Sequence, residues 1–278
     1  MRVGLAQYGS SADKAANLIQ AAEVAREAGR RGVDLLVFHE VYMYRRPPEA
    51  TVPPAEVAEP LDGPFMQGVR RAAAEHRLHL VMGLLERAPG ESYRAYNTAV
   101  LVAPSGQVLA VYRKVHLYDA FDGRESESFV PGDAPPPVAD TPLGRIGLQI
   151  CYDIRFPEWS RLLALQGAEY LVVPTRWVPG PLKEEHWLTL VRARAIENTC
   201  WVIAAADVPP YRLGRSVVVD PMGVVVADGG EEAGLVTVDV DPDRVRRVRA
   251  KNPSLLFRRP DLYGALAEKG VAAANRRE

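Results

Sequence analysis

The chain has 278 residues, 47% of them hydrophobic and 25% charged, with a formal net charge of −1. That hydrophobic share can build a sizeable core in one large or two small domains, and no apolar run approaches the roughly 18 residues that cross a bilayer. The arginine doublets at 30–31, 45–46, 70–71, 246–247 and 258–259 are scattered along a near-neutral chain, which speaks against a nucleic-acid partner.

The opening MRVGLAQYGS enters a strand-like pattern over 2–8 with no signal-peptide core, so a cytoplasmic location is expected. With only Cys151 and Cys200 present, a reducing compartment is expected too. Apolar residues at helical spacing predict a helix over 15–32, followed by a short buried strand over 34–38 that ends at His39-Glu40. Residues 42–60 are rich in proline and polar residues and read as irregular loop. A helix over 63–76 and a strand over 78–86 follow, and then a hairpin of 97–103 and 107–112 turning at Pro104-Ser105-Gly106. Residues 115–142 read as mostly loop, punctuated by Pro131-Gly132 and the prolines at 135–137. The pattern continues with strand 145–150, helix 157–167, strand 170–174, helix 182–198 and strands 201–206, 215–220, 223–227 and 234–240. No repeat or linker divides this series, which predicts a single α/β domain of layered sheets. The arginine-rich last forty residues are expected to wrap a surface or a partner.

The segment 146–158, IGLQICYDIRFPE, predicts a buried strand, a sharp turn carrying Cys151, and a helix with proline in its first turn. Strand, nucleophile and helix is one way an α/β protein presents a reactive group at a sheet edge. Helix-start N–H groups would favour a thiolate there and hold a developing oxyanion. Glu40 and Lys114 likewise follow apolar strands. Singly each could be a first solvated position, but layered α/β folds gather strand ends into one crevice. Cys200, leading into the apolar run 202–206, reads as core.

The trio Glu40, Lys114 and Cys151 resembles the Glu-Lys-Cys set of the nitrilase superfamily of carbon–nitrogen hydrolases. The surrounding strings are similar as well: RKVHL at 113–117, CYDIRFPE at 151–158, HW at 186–187, RARAIEN at 192–198, Ser216 with VVVDPMG at 217–223, and RRPDLY at 258–263. These boxes follow the family's order over roughly residues 2–263, and the closing string with the RARAIEN helix most resembles the Nit subgroup, whose members are similar to omega-amidases and deaminated glutathione amidases. The resemblance implies a four-layer α-β-β-α sandwich formed by 1–278 as one domain, with 241–278 a tail at a homodimer interface. It implies no cofactor and no metal, a small-molecule amide as substrate, and neither nucleic acid nor membrane as partner. It also implies a second glutamate, Glu125, seven positions before Gly132, with Glu127 close by.

The chemistry implied suits these residue types. Amides resist water, and a sulfur nucleophile splits hydrolysis into acylation and deacylation. Glu40 would take the thiol proton, pass it to departing ammonia and later activate water. Lys114 with the backbone N–H of Tyr152 would form the oxyanion hole, and Glu125 would orient Lys114 or substrate. Candidate substrate contacts are Tyr42 and Tyr44 after the base, and Arg176 and Trp177 after strand 170–174. Arg176 stands where the pattern usually has a small residue, and it could grip a substrate carboxylate through two parallel contacts or turn to a surface carboxylate. Nitrile and N-carbamoyl amino acid hydrolysis use the same trio and stay open, as does an inert ligand-binding or oligomerising relative. A cysteine–histidine protease built on His116 or His186, and a metal hydrolase for which no ligand spacing exists, are the competing chemistries.

Overall fold

The computed structural model describes residues 1–47 and 49–263, and shows two six-stranded sheets packed face to face. The first contains β1 (Arg2–Gln7), β2 (Leu35–Phe38), β3 (His79–Arg87), β4 (Ala95–Val102), β5 (Val108–Arg113) and, from near the end of the chain, β12 (Gly234–Asp239). Its spatial order is β12-β1-β2-β3-β4-β5, with β1, β2 and β3 parallel and the outer pairings antiparallel. The second contains β6 (Val138–Thr141), β7 (Gly144–Leu148), β8 (Tyr170–Thr175), β9 (Trp201–Ala206), β10 (Val217–Val219) and β11 (Val225–Asp228), in the order β11-β10-β9-β8-β7-β6. Here too the central three strands, β7, β8 and β9, run parallel.

Both faces of each sheet are covered, which explains strands with no polar side. In β2, Leu35 and Val37 join the core between the sheets, while Leu36 and Phe38 face the outer helices. Those helices are α1 (Lys14–Arg30) and α3 (Pro64–His76). Asp13 caps α1, its carboxylate accepting the amides of Ala15 and Ala16 at 2.8 and 3.1 Å, and proline starts α3 without losing a needed donor. The second sheet is covered by α4 (Pro157–Leu165) and α5 (Lys183–Asn198). Helix, sheet, sheet and helix are the four layers expected.

Three short elements escaped the sequence pattern. The single turn α2 (Pro54–Val57) lies within the expected loop 42–60, and β6 lies within the expected loop 115–142. The third, α6 (Arg244–Lys251), lies in the expected tail, buries Val245 and Val248, and sends Arg249 Nη2 to the Ala168 carbonyl at 2.9 Å. The last part of that tail, residues 264–278, lies outside the described residues. Among the described residues no helix is long and apolar enough to cross a membrane.

Candidate active site

The C-terminal ends of β2, β5, β7 and β8 deliver four segments to one crevice. Beyond β2 the chain turns sharply at Val41, a β-branched residue at φ 53°, a left-handed conformation that costs on the order of 1–3 kcal/mol. The turn buries Glu40 to 4% exposure. It fits only because β3 has glycine opposite: a Cβ on Gly83 would lie 2.4 Å from the His39 carbonyl oxygen and 2.6 Å from the Val41 nitrogen. Lys114, directly after β5, extends the β4 pairing through its amide to the Asn97 carbonyl at 2.8 Å and is 2% exposed. Its own carbonyl accepts the Gly132 amide at 2.8 Å. A Cβ on Gly132 would sit 2.3 Å from the Arg113 carbonyl oxygen, so the Pro-Gly pair marks a close approach of backbones.

Cys151 opens a 3-10 turn (Cys151–Arg155) after β7 and also has a left-handed backbone, φ 43°. Asp153 builds this turn from inside. Its Oδ2 accepts the Ile150 amide at 2.8 Å and the Tyr112 hydroxyl at 2.7 Å, and its Oδ1 meets His116 Nδ1 at 2.7 Å.

Lys114 Nζ sits between two carboxylates, 2.8 Å from Glu40 Oε1 and 2.9 and 2.7 Å from the two oxygens of Glu125. Asn97 Nδ2 donates to both acids, at 2.7 Å to Glu40 and 3.0 Å to Glu125. The Arg176 amide donates to Glu40 Oε2 at 2.9 Å, and the Tyr118 amide donates to Glu125 Oε2 at 2.6 Å. Burial alone would raise the Glu40 pKa. The Lys114 charge and hydrogen bonds from Lys114, Asn97 and the Cys151 thiol outweigh it and hold Glu40 below its ordinary value. Burial would likewise strip the proton from Lys114, but the charges of Glu125 and Glu40 keep the ammonium well above its usual range.

The cysteine corrects one expectation. Burial and the Glu40 charge push the Cys151 thiol up to about 12, against the opposing pull of Lys114. Instead of a helix N-terminus stabilising a thiolate, the turn offers only one short 3-10 segment. The resting sulfur is therefore protonated and needs a base at the moment of attack.

Cys151, Glu40, Lys114 and Glu125 all line a cavity of about 500 Å³. Glu127, the other candidate acid, is 70% exposed and faces Arg124, which leaves Glu125 as the acid beside Lys114. Tyr152, Arg176 and Trp177 line the cavity too. Tyr44 does not: it lines a smaller adjoining cavity of about 180 Å³ that shares Arg176 and Arg212. Tyr42 is fully buried and gives its hydroxyl to Gln20, because the left-handed Val41 redirects the chain under the helices. Arg176 lines the cavity with its Nε bound to Asp207 at 3.0 Å, so the carboxylate it meets is a buried one and not the surface one expected.

The histidines stand elsewhere. His116 pairs with Asp153 and stacks on Phe156 at 3.8 Å between ring centroids, and His186 Nδ1 lies 3.5 Å from Arg155 Nη2. Neither lines the cavity, so a cysteine–histidine pair on Cys151 has no geometric support. Both cysteines are free, and Cys200 is wholly buried. Among the described residues no group of three or more potential ligands could hold a metal ion. The sequence reading missed Asn97, Tyr118, Arg155, Lys183 and Arg212, all of which line the cavity. Asn97 had a usable signal, being the one amide side chain in β4.

Comparison with known proteins gives the chain its family. The carbon-nitrogen hydrolase family model matches residues 2–250. Deaminated glutathione amidase of Escherichia coli O157:H7 is 38% identical over 238 residues, 86% of this chain and 89% of that protein. Its namesake from Homo sapiens is 39% identical over 280 residues, 95% of this chain and 84% of that one. An amidase from Nesterenkonia sp. superposes with a TM-score of 0.81 at 32% identity, covering 96% of each chain. A variant of the Nesterenkonia sp. AN1 amidase, 31% identical with a TM-score of 0.76 over 90% of this chain and 97% of that one, shows Michael addition of acrylamide at its active site cysteine.

Proposed function

From a chain that belongs to the carbon-nitrogen hydrolase family and is an amidase of the nitrilase superfamily, we propose a cysteine-thioester mechanism acting on a small carboxylated amide and releasing ammonia. The observation that carries the reading is the single cavity in which Glu40, Lys114, Glu125 and Cys151 converge.

In this mechanism Glu40 removes the thiol proton as the Cys151 sulfur bonds to the amide carbon. The carbonyl oxygen takes up the negative charge beside Lys114 Nζ and the Tyr152 N–H. Because the thiol is strongly held in its neutral form and Glu40 is a weak base, a free thiolate is uphill, and attack and proton transfer run together. Collapse of the intermediate breaks the C–N bond, and Glu40 returns the proton to the nitrogen as ammonia leaves. Water then enters, gives a proton to Glu40 and hydrolyses the thioester, freeing the carboxylic acid and the thiol. Glu125 holds Lys114 through both of its oxygens, so the ammonium stays aimed at the reacting centre.

The carboxylated substrate is supported by the cations that line the cavity besides Lys114: Arg124, Arg155, Lys183 and Arg212, together with Arg176, which is paired with Asp207; the one acid lining it outside the Lys114 cluster is Asp122. The test is ammonia release from a panel of ω-amides, N-carbamoyl amino acids and nitriles. Amides of carboxylic acids should be turned over and Cys151→Ala should be inert; comparable turnover by Cys151→Ala removes the nucleophile. A homodimer seated on the C-terminal segment belongs to the same proposal, supported by Leu256 and Phe257 at 82% and 75% exposure; a monomeric mass in light scattering would overturn it.

A further inference from the structure

We propose that Lys183, with Arg155 beside it, is the subsite that receives the substrate carboxylate at the far side of the cavity from Cys151. This inference rests on the amidase reading above and assigns its specificity to particular side chains.

Lys183 begins α5, lines the same cavity as Cys151, and is only 6% exposed. Its ammonium donates to the Tyr118 hydroxyl at 3.0 Å and rests 3.3 Å from the centroid of the Phe121 ring. Arg155 packs against the same ring, its guanidinium carbon 5.5 Å from the Phe121 centroid and 4.7 Å from that of Trp177. Arg155 Nε is buried without a hydrogen-bond partner. Two cations thus contact one aromatic ring, and among the described residues neither forms an ion pair. Asp122 lines the cavity but bonds to neither.

Burying ammonium and guanidinium groups without a counter-charge is unfavourable, and an aromatic face offsets only part of that cost. A carboxylate bound in the cavity they both line would supply the missing counter-charge and accept from the open donors. Arg176 is less suited, because Asp207 already neutralises it. Tyr118 sets the spacing: its amide holds Glu125 at 2.6 Å while its hydroxyl accepts from Lys183. The cation therefore stands one tyrosine side chain away from the Lys114 cluster. That separation suits a short acyl chain with its amide at one end and its carboxylate at the other.

The experiment compares kcat/KM for glutaramate and its uncharged counterpart valeramide in the full-length protein, with circular dichroism to verify folding. The wild type should favour glutaramate. Lys183→Met should cut that preference about 10- to 100-fold, chiefly through KM for glutaramate, as expected for losing one buried charge-assisted contact. Lys183→Arg should keep part of it, and Arg155→Met, which leaves the start of α5 untouched, should weaken the same preference independently. A wild type that prefers glutaramate, with all three variants keeping the full preference, overturns this assignment and leaves the amidase reading standing. Equal use of the two amides by the wild type overturns it as well, and ammonia release from neither removes the amidase reading and this inference together.

Discussion

The backbone amide of Arg176 donates to Glu40 Oε2 at 2.9 Å, joining residues 136 positions apart and tying the second sheet to the base carried by the first. The other oxygen of the same carboxylate is held by Lys114 and Asn97 at 2.8 and 2.7 Å. Every lone-pair direction of Glu40 but the one toward the sulfur is thereby directed by a neighbour, which is how a buried acid is kept ionised and aimed.

Replacing the central cation tests that hold. Lys114→Met leaves Glu40 and Glu125 facing one another with only Asn97 between them. Turnover should fall about 10²- to 10³-fold from loss of the oxyanion partner. Stability should drop by about 3–5 kcal/mol, the usual cost of removing one member of a buried ion pair. Ammonia release and urea denaturation measure the two effects; a variant as stable as the wild type would show that the cluster adds nothing to folding.

The pH profile should be broad. Glu40 is held below its ordinary 4.5, so its ionised form, and the stability it contributes, is present above that value and lost as pH falls through the depressed one. Lys114 is held above its ordinary 10.5, so its contribution is complete below that value and lost only as pH rises through the elevated one. The Cys151 thiol, at about 12, adds no limb in between. kcat/KM should therefore be flat between roughly pH 5 and pH 10. A limb near pH 6.5, the ordinary range of histidine, would bring His116 or His186 back into the chemistry.

Gly83→Ala probes the base through its backbone. The new methyl would meet only main-chain atoms of the Glu40 turn, 2.4 to 2.8 Å away, so that turn must move. Displacing a catalytic group by about 1 Å can cost 10²-fold, and a loss of that order in kcat with far-ultraviolet circular dichroism unchanged is expected. Full activity would mean that the carboxylate tolerates displacement.

The layered fold was legible because apolar runs of strand length alternate with amphipathic stretches, and those patterns answer to burial on one or both faces. The placement of Glu40, Lys114 and Cys151 was legible for the same reason: each follows a run whose apolar pattern ends abruptly. What escaped was set by tertiary contacts. Tyr42 and Tyr44 sit beside Glu40 in sequence, but a left-handed Val41, invisible to residue patterns, turns them away. Lys183, Arg155 and Arg212 look like ordinary surface cations in the chain, and only the fold shows them lining one cavity, Lys183 buried and the two arginines half-buried. The elements β6 and α6 are short, so their stability comes from pairing with β7 and from packing at Ala168, not from local propensity.

Glu40 and Lys114 come from one sheet and Cys151 from the other, while β12, from the chain's far end, completes the first by pairing with β1. Neither layer owns a working reaction centre, and neither can be finished before nearly the whole polypeptide has been made. A chain clipped before β12 should accordingly be silent rather than feeble, because the sheet that carries Glu40 and Lys114 is left incomplete. On heating, catalysis and both layers should be lost in one step, because the two sheets share one core.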